Sequence, residues 1–571
     1  MGRFGDWLDE RTGHRGLVHG ALHEPVRGGA RWAYVFGSAL VVLFALQALS
    51  GAGLALFYSP SATDAWASVH FIQHHVLLGW LTRGLHHYGA SAMVVVALLH
   101  LLQTLWFGAY RAPRELNWLT GLALLLLVLT FALTGYLLPW DQKGYWATQV
   151  ATSIIGLAPG VGDPLQRIAQ GGASYGNLTL TRFYAAHVVL LPAVSAALIA
   201  AHLWLFRRHG VTTPPWMKEA DGEARSEPFF PRQLALDAAF ALLLVAVLVG
   251  LAVRSHGTTL EAPADPSSQY LARPEWYFLP LFQLLKYFHG PWELVGAGIL
   301  PGLALAFVAA LPFLHRWLSR REPRAARGLA VLVTAGLLAA ASLGFSAASD
   351  DAGDGGVAKL RAQAEKEAEL ADRLAEAGVP VTGPLDLYRN DPVVWGERVY
   401  THKCQTCHHP CSNNPYKGDP CLEGYASREW LARLLRQPGG KYFFGNSKID
   451  EMDPYTGDDA SLRALAEFLY AQGQRKDADA ALAGRGEALF ESEGCGACHT
   501  LDGKGSGDAP DLQGYASPTW LASFIRSPGG ARFYGDRNKM ETFDHRKLED
   551  REVEAVVAFL RTQAAQPVGF K

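Results

Sequence analysis

The amino-acid sequence predicts an all-α membrane protein with about seven transmembrane helices, followed by two small α-helical domains. Seven apolar stretches are long enough to cross a bilayer, whose core needs about 20 apolar residues. Two of these stretches contain matched pairs of histidines, and after about residue 350 the apolar runs give way to a tail with two CxxCH motifs. The seven stretches cover residues 33–57, 79–105, 116–138, 183–206, 234–253, 292–314 and 328–346.

The distribution of basic residues predicts how the spans are oriented. Of 571 residues, 49% are hydrophobic and 18% are charged, and the formal net charge of −2 gives no sign of nucleic-acid binding. Arginine and lysine concentrate before the first span and in every second loop after it. Because cytoplasmic loops carry such an excess, these loops are expected inside and the tail outside. Residues 1–30 are polar, so we expect a cytoplasmic segment and no cleavable signal peptide.

Two pairs of histidines share a face within apolar helices. His86 and His100 are 14 residues apart in the second span, and His187 and His202 are 15 apart in the fourth. At 100° per residue, the members of each pair lie within about 60° of one another around the helix and about 21 Å apart along it. Imidazole is costly in hydrocarbon without a partner. The pattern therefore predicts a four-helix bundle that clamps two non-covalent haems, one above the other.

Glycines in two neighbouring spans repeat at the same interval. Gly37 and Gly51 lie 14 residues apart in the first span, as do Gly121 and Gly135 in the third. This interval is expected if flat haem rings press against the backbone at two depths. Helix packing alone is the alternative for any single glycine, because glycine is common in membrane helices.

The tail contains two motifs for covalent haem, CQTCH and CGACH. In such motifs two thiols form thioethers to the porphyrin and the histidine ligates iron. Methionine is the expected sixth ligand, and packing of that methionine into a core is the alternative. The first site comprises Cys404, Cys407, His408 and Met452, and the second comprises Cys495, Cys498, His499 and Met540. Pro420 and Pro510 follow these histidines by 12 and 11 residues, where a carbonyl is expected to face the imidazole.

An internal repeat divides the tail, because residues 424–445 return as 514–535. A charged stretch over 352–378, rich in alanine and glutamate, predicts a helical stalk before it. The remaining cysteines, Cys411 and Cys421, are expected to form a disulfide in an oxidising compartment, with a metal site as the alternative. The predicted segments are a cytoplasmic segment 1–30, a four-helix part 31–215, a three-helix part 216–348, a stalk and linker 349–392, and two haem c domains 393–476 and 477–571.

The compartment follows from the same motifs. Haem is attached to CxxCH outside the bacterial cytoplasmic membrane, which agrees with the orientation inferred from the loops. We therefore expect a multi-pass protein of the bacterial inner membrane, with its haem c domains on the periplasmic side.

Four segments together resemble cytochrome b of quinol:cytochrome c oxidoreductases. They are GWLTRGLHHYGAS (79–91), LPWDQKGYW (138–146), TRFYAAH (181–187) and RPEWYFLPLFQLLKYF (273–288). The resemblance covers about residues 25–345 and identifies 31–215 and 216–348 as the N-terminal and C-terminal parts of that protein.

The resemblance implies axial ligands for each b haem. The outer haem takes His86 and His187, with His87 as a rival to His86, and the inner haem takes His100 and His202. Arg83 and Arg182 match family arginines near the haem propionates, and interfacial anchoring is the alternative for them.

The resemblance also implies two quinone sites. Pro274, Glu275, Trp276 and Tyr277 form the PEWY segment, whose glutamate in the family lines the quinol-oxidation pocket and accepts a proton. A carboxylate at an interfacial turn is the alternative. Asp237 corresponds to a family aspartate beside the inner, quinone-reducing pocket, although aspartate is also common near helix starts.

Some features depart from the family average. The 15-residue histidine interval, the LPWDQ segment and seven rather than eight spans resemble the photosynthetic branch of the family. That branch tethers an extra haem through a cysteine on the first helix, but Val35 stands near that position and no cysteine lies in the spans. The di-haem tail is similar to cytochrome c subunits of bacterial bc complexes, so photosynthetic use is not implied.

The activity implied by the resemblance is bifurcated quinol oxidation, coupled to proton translocation. One electron goes to a Rieske iron–sulfur protein, which must be a separate subunit because no cysteines remain for its cluster, and the other goes to the b haems. Electrons would leave through the c haems to a soluble cytochrome c or a terminal oxidase, and a homodimer is implied. The alternatives are a linear quinol dehydrogenase or quinone reductase, and a non-catalytic, membrane-anchored electron shuttle or haem-delivery protein.

Overall fold

The computed structural model describes residues 3–268, 270–413, 419–445, 452–505, 509–568 and 570, without the side chains of residues 3, 17, 219, 291, 323–327 and 413. The chain divides into two compact units, Met1–Leu385 and Asp386–Lys571. Both consist of helices joined by loops, which confirms the all-α prediction. The described strands are β1 (Pro25–Val26) and β2 (Glu227–Pro228), which pair antiparallel.

The helices of the first unit are α1 (Arg3–Thr12), α2 (His14–Leu22), α3 (Val35–Ala55), α4 (Ala65–His75), α5 (Gly79–Trp106), α6 (Glu115–Tyr136), α7 (Gln142–Gly156), α8 (Gly162–Gln170), α9 (Asn177–Ala185), α10 (Leu191–His209), α11 (Glu219–Ala224), α12 (Arg232–Arg254), α13 (Leu279–Leu285), α14 (Leu300–Ser319), α15 (Pro323–Gly353) and α16 (Gly355–Ala375). Those of the second unit are α17 (Leu387–Asn390), α18 (Pro392–Lys403), α19 (Arg428–Arg436), α20 (Asp459–Gln472), α21 (Ala480–Ser492), α22 (Pro518–Arg526) and α23 (Asp550–Gln563).

Among the described residues, seven helical segments are long and apolar enough to cross a membrane, which confirms the predicted number. They are Trp32–Ala55, Gly79–Trp106, Glu115–Tyr136, Asn177–His209, Arg232–Arg254, Val295–Ser319 and Gly328–Gly353. α5 packs against α3, α6 and α12, and α6 packs against α10. The spans that carry the paired histidines, Gly79–Trp106 and Asn177–His209, thus lie in one bundle with the glycine-bearing helices α3 and α6.

The fourth span contains a π-helical turn at Ala186–Leu190, between α9 and α10. His187 lies in this turn. A π turn takes up one extra residue within an α-helix, and such turns are frequent at functional sites. The 15-residue interval from His187 to His202 therefore rotates like a 14-residue interval of regular helix, which matches the interval from His86 to His100.

In the second unit, the repeats exchange their terminal helices. α18 of the first repeat packs on α23 of the second, and α21 of the second repeat packs on α20 of the first. Glycine allows both close crossings, because a Cβ on Gly396 would collide with the Ala555 carbonyl and one on Gly486 with the Ala464 carbonyl. One hydrophobic core includes residues of both repeats, from Val399 to Leu560. The repeats therefore depend on one another for burial.

This packing predicts opposite effects for two glycines of α21. We expect Gly486→Ala to lower the free energy of unfolding of this unit by about 1–3 kcal/mol, because the added methyl overpacks the crossing. Gly484→Ala is the matched control, since a Cβ there meets no atom within 4 Å. It should be neutral or should stabilise the helix by up to about 1 kcal/mol. Thermal unfolding of the purified full chain, followed by circular dichroism, separates the two, and equal stabilities would contradict the exchanged packing.

Candidate functional site

The four paired histidines of the bundle face each other in two levels. The ring centres of His86 and His187 lie 6.2 Å apart, and those of His100 and His202 lie 6.5 Å apart. Two imidazoles bonded to one metal ion from opposite sides have ring centres about 6 Å apart, given metal–nitrogen bonds of about 2 Å. Both levels therefore have the separation that bis-histidine ligation of a haem iron requires.

Hydrogen bonds fix the tautomer of three of these histidines. Nδ1 of His86, His187 and His202 lies 3.0 Å from a hydroxyl oxygen, that of Ser50, Thr134 and Thr120 respectively. Each hydroxyl donates its own hydrogen to a backbone carbonyl of its helix: Leu46, Thr130 and Asn117. The oxygens must therefore accept from Nδ1–H, which leaves the Nε2 lone pair available as an iron ligand.

His100 is the exception to this pattern. Each of the three hydroxyl residues directly precedes a glycine of the 14-residue pairs, but Phe36 precedes Gly37. Among the described residues, His100 Nδ1 makes no hydrogen bond of normal geometry. Ser50, Thr120 and Thr134 were not among the predicted site residues, although their position directly before the predicted glycines was a usable signal.

Each of the four predicted glycines contacts one of the histidines. The distances from a Cβ built on the glycine to the imidazole Cε1 would be 3.0 Å for Gly51 and His86, 2.5 Å for Gly135 and His187, 3.4 Å for Gly37 and His100, and 3.1 Å for Gly121 and His202. The glycines thus leave room for the edge of the ligand ring itself, and their contact with the haem plane stays a prediction.

The PEWY segment lies in the loop before α13, where the Phe278 amide closes a turn on the Glu275 carbonyl. The Glu275 side chain is 18% exposed and accepts a hydrogen bond from Lys143 Nζ at 2.7 Å. Lys143 stands in the first turn of α7, which Asp141 caps by accepting from the Gly144 amide. The ion pair with Lys143 holds the Glu275 carboxylate in a defined position.

Two aromatic side chains follow Glu275 in the chain. Trp276 Nε1 donates to Ser91 Oγ of α5 at 3.4 Å, and the Trp276 and Tyr277 rings meet edge to face. Burial, and then the neighbouring Glu275, raise the pKa of Tyr277, so its hydroxyl stays protonated at neutral pH. Pro274 follows Arg273, whose guanidinium pairs with both oxygens of the buried Asp351 near the end of α15. That ion pair ties the start of the PEWY segment to the last span.

The arginines predicted beside the propionates have protein partners. Arg83 donates to Gln73 Oε1 and to the carbonyls of Thr258 and Thr259. Arg182 is exposed and donates to the Ile168 carbonyl at 2.7 Å. Arg83 therefore anchors the loop that follows α12. Contact of either arginine with a haem propionate stays a prediction.

Asp237 and His87 lie at opposite ends of the bundle. Asp237 is buried near the start of α12 and accepts a hydrogen bond from Gln233 Nε2, while Gln233 Oε1 accepts from the Arg31 amide. His87 is adjacent to His86, but its ring contacts Tyr88 and not the facing helix. This arrangement favours His86 over His87 as the ligand that faces His187.

The two CxxCH motifs have equivalent geometry. His408 Nδ1 lies 2.8 Å from the Pro420 carbonyl, and His499 Nδ1 lies 2.9 Å from the Pro510 carbonyl. Nδ1–H must donate to the carbonyl, which leaves Nε2 available to iron. Burial lowers the pKa of both histidines, which keeps the rings neutral at pH 7.

The remaining predicted residues of the tail are also placed. Cys411 and Cys421 form the disulfide. The thiols of the two haem motifs are not disulfide-bonded, in keeping with thioether attachment. Met540 packs partly buried against the shared core, whereas Met452 is 36% exposed. Their assignment as sixth ligands stays a prediction.

Comparison with known proteins agrees with both parts of the chain. A family model described as "Cytochrome b(N-terminal)/b6/petB" matches residues 91–268, and one described as "Cytochrome c" matches residues 483–564. A "Cytochrome bc complex cytochrome b subunit" from Chlorobaculum thiosulfatiphilum is 42% identical over 45% of this chain and 60% of its own length.

Two further relatives extend the match. "Cytochrome b" from Rhodobacter capsulatus is 35% identical over 53% of this chain and 71% of its own length. "Cytochrome b6" from Cyanidium caldarium is 37% identical over 38% of this chain and the whole of its own length. The chain therefore belongs to the cytochrome b family of bc and b6 complexes, and it carries a cytochrome c domain in its C-terminal part.

Proposed function

We propose that this chain is the cytochrome b and c subunit of a respiratory quinol:cytochrome c oxidoreductase, a bc complex coupled to proton translocation. The observation that carries the proposal is the pair of facing histidine levels, at 6.2 Å and 6.5 Å, together with a loop carboxylate, Glu275, that is paired with Lys143 of α7. Bound haem would supply one-electron carriers at these two levels and at the two CxxCH motifs.

The residues around Glu275 suit quinol oxidation on the periplasmic side. Trp276 and Tyr277 offer flat apolar surfaces for a quinol ring and exclude water from it. The Glu275 carboxylate, held in position by Lys143, accepts a proton from the quinol hydroxyl. One electron leaves to a Rieske iron–sulfur protein and the other to the b-haem level of His86 and His187.

Asp237 suits quinone reduction at the opposite end of the bundle. Its buried carboxylate, oriented by Gln233, can deliver protons to a reduced quinone on the cytoplasmic side. Release of protons near Glu275 and uptake near Asp237 would couple electron transfer to proton translocation. All six cysteines have other roles in this assignment, so the Rieske protein is a separate subunit. A soluble cytochrome c or a terminal oxidase accepts electrons from the tail, and we expect the complex to be a homodimer.

Purification of the chain from its native membrane tests this assignment. We expect an iron–sulfur protein with a Rieske-type paramagnetic spectrum to co-purify, and added quinol to reduce both b and c haems. A chain that purifies without iron–sulfur protein, and whose c haems are still reduced by quinol at full rate, would contradict the bc assignment and favour a linear quinol dehydrogenase.

The Thr134 hydroxyl, which is hydrogen-bonded to His187 Nδ1, leads to a second prediction. Thr134→Val removes the acceptor for Nδ1–H, so we expect affinity for one b haem to fall by about 10–100-fold. The midpoint potential of that haem should rise, because a less basic imidazole stabilises ferric iron less. Thr130→Val is the control, since its hydroxyl only donates to the Leu126 carbonyl. Haem content of the purified variants measures the change in affinity, and redox titration measures the midpoint potential. The same haem content and the same potential in both variants would contradict the role of Thr134.

A further inference from the structure

Two histidines on α4 and one carboxylate on α16 form a cluster away from the haem levels. His70 and His74 are four residues apart and therefore lie on one face of α4. His70 Nε2 lies 3.2 Å from Asp372 Oδ1, and His74 Nε2 lies 2.9 Å from the same atom. The ligand atoms of all three side chains lie within 4.8 Å of one another.

One imidazole of this cluster is buried, and the other two side chains are part-exposed. The His70 side chain is only 5% exposed, and its Nε2 makes no hydrogen bond of normal geometry among the described residues. His74 and Asp372 are 37% and 47% exposed, so one side of the cluster is open to solvent. A buried imidazole nitrogen that lacks a hydrogen bond is costly unless another ligand satisfies it.

The spacing fits a tetrahedral metal site. In a tetrahedral site with bonds of about 2.0–2.1 Å, neighbouring ligand atoms lie about 3.3 Å apart. The distances from the two imidazole nitrogens to Asp372 Oδ1, 3.2 Å and 2.9 Å, are close to this value. Two imidazoles and a carboxylate, with a fourth position for water, suit Zn²⁺ and similar first-row ions. Ca²⁺ and Mg²⁺ are disfavoured because they prefer oxygen ligands alone.

We propose that His70 Nε2, His74 Nε2 and the Asp372 carboxylate bind a divalent transition-metal ion of the Zn²⁺ class and so clamp α16 to α4. The clamp would stabilise more than these two helices. Trp66 of α4 donates to the Glu261 carbonyl, and Gln73 donates to the His256 carbonyl while accepting from Arg83. Metal binding would therefore stiffen the anchor of the loop that follows α12.

Zinc binding by the intact complex tests the site. The purified complex is stripped with a chelator, equilibrated with micromolar Zn²⁺, desalted and assayed for metal per chain. We expect wild type to retain one more zinc than His74→Gln or Asp372→Asn, both substitutions of part-exposed side chains that should fold. His75→Gln is the matched control, because it changes the neighbouring histidine of the same helix and should retain that zinc.

A second readout separates binding from a mere ion pair. Zinc should raise the midpoint of thermal unfolding of wild type and of His75→Gln. It should leave the midpoints of His74→Gln and Asp372→Asn unchanged. Equal zinc content in all four proteins would overturn the proposal, as would retention only at millimolar zinc, and the cluster would then be a hydrogen-bonded ion pair. Loss of zinc from His75→Gln would overturn the assigned ligand set.

Discussion

Substitution of His187 by alanine is expected to reduce the b-haem content from two per chain to one and to abolish quinol oxidation. His187 and His86 face each other at 6.2 Å, so either side chain alone leaves a haem iron without its second imidazole. Haem extraction and reduced-minus-oxidised spectra of the purified protein measure the content. His86→Ala should give the same result, since it removes the opposite ligand of the same level.

His87→Ala is the matched control for haem content, because it removes a neighbouring histidine whose ring does not face His187. We expect this variant to retain both b haems. Loss of a haem from His87→Ala with retention in His86→Ala would show that the ligand assignment on α5 is wrong.

Replacement of Glu275 by glutamine should lower kcat for quinol oxidation by about 100-fold to 10,000-fold, the range that a positioned proton acceptor contributes. The amide keeps the shape of the side chain and can still contact Lys143, so haem content and thermal stability should not change. Stopped-flow reduction of the b haems by quinol, compared with wild type, measures the effect.

Two further variants test the role of Glu275. Glu115→Gln makes the same change at the start of α6 and should leave the rate unaltered. Lys143→Met should give an intermediate loss, because the carboxylate remains but loses the cation that stabilises it. Full activity of Glu275→Gln would show that the carboxylate is not the proton acceptor and that another group near the PEWY segment must be sought.

The parts of this molecule that the sequence could predict are those set by local periodicity. The seven spans follow from apolar length, and the two histidine levels follow from intervals of about four helical turns. The carbonyls of Pro420 and Pro510 lie beside the haem histidines, as their positions 12 and 11 residues after those histidines predicted. The Cys411–Cys421 pairing followed from subtracting the cysteines of the two haem motifs.

Contacts between segments that are distant in the sequence could not be predicted from local periodicity. Lys143 pairs with Glu275 across 132 positions, and Arg83 reaches the carbonyls of Thr258 and Thr259 across about 175. Neither pattern has a period that the sequence displays, because tertiary packing alone brings the segments together. For the same reason the sequence could not predict that α18 packs on α23 and α21 on α20, across the two repeats.

The most direct test of bifurcated quinol oxidation is an oxidant pulse applied to the purified complex, with quinol present and the quinone-reducing side inhibited. Absorbance of the b and c haems is followed together. Bifurcation predicts that the b haems become more reduced at the moment the c haems are oxidised, because each quinol that supplies the c haems must send its second electron to the b haems. Oxidation of the b haems in step with the c haems would contradict this account and would establish a linear path from quinol to the tail.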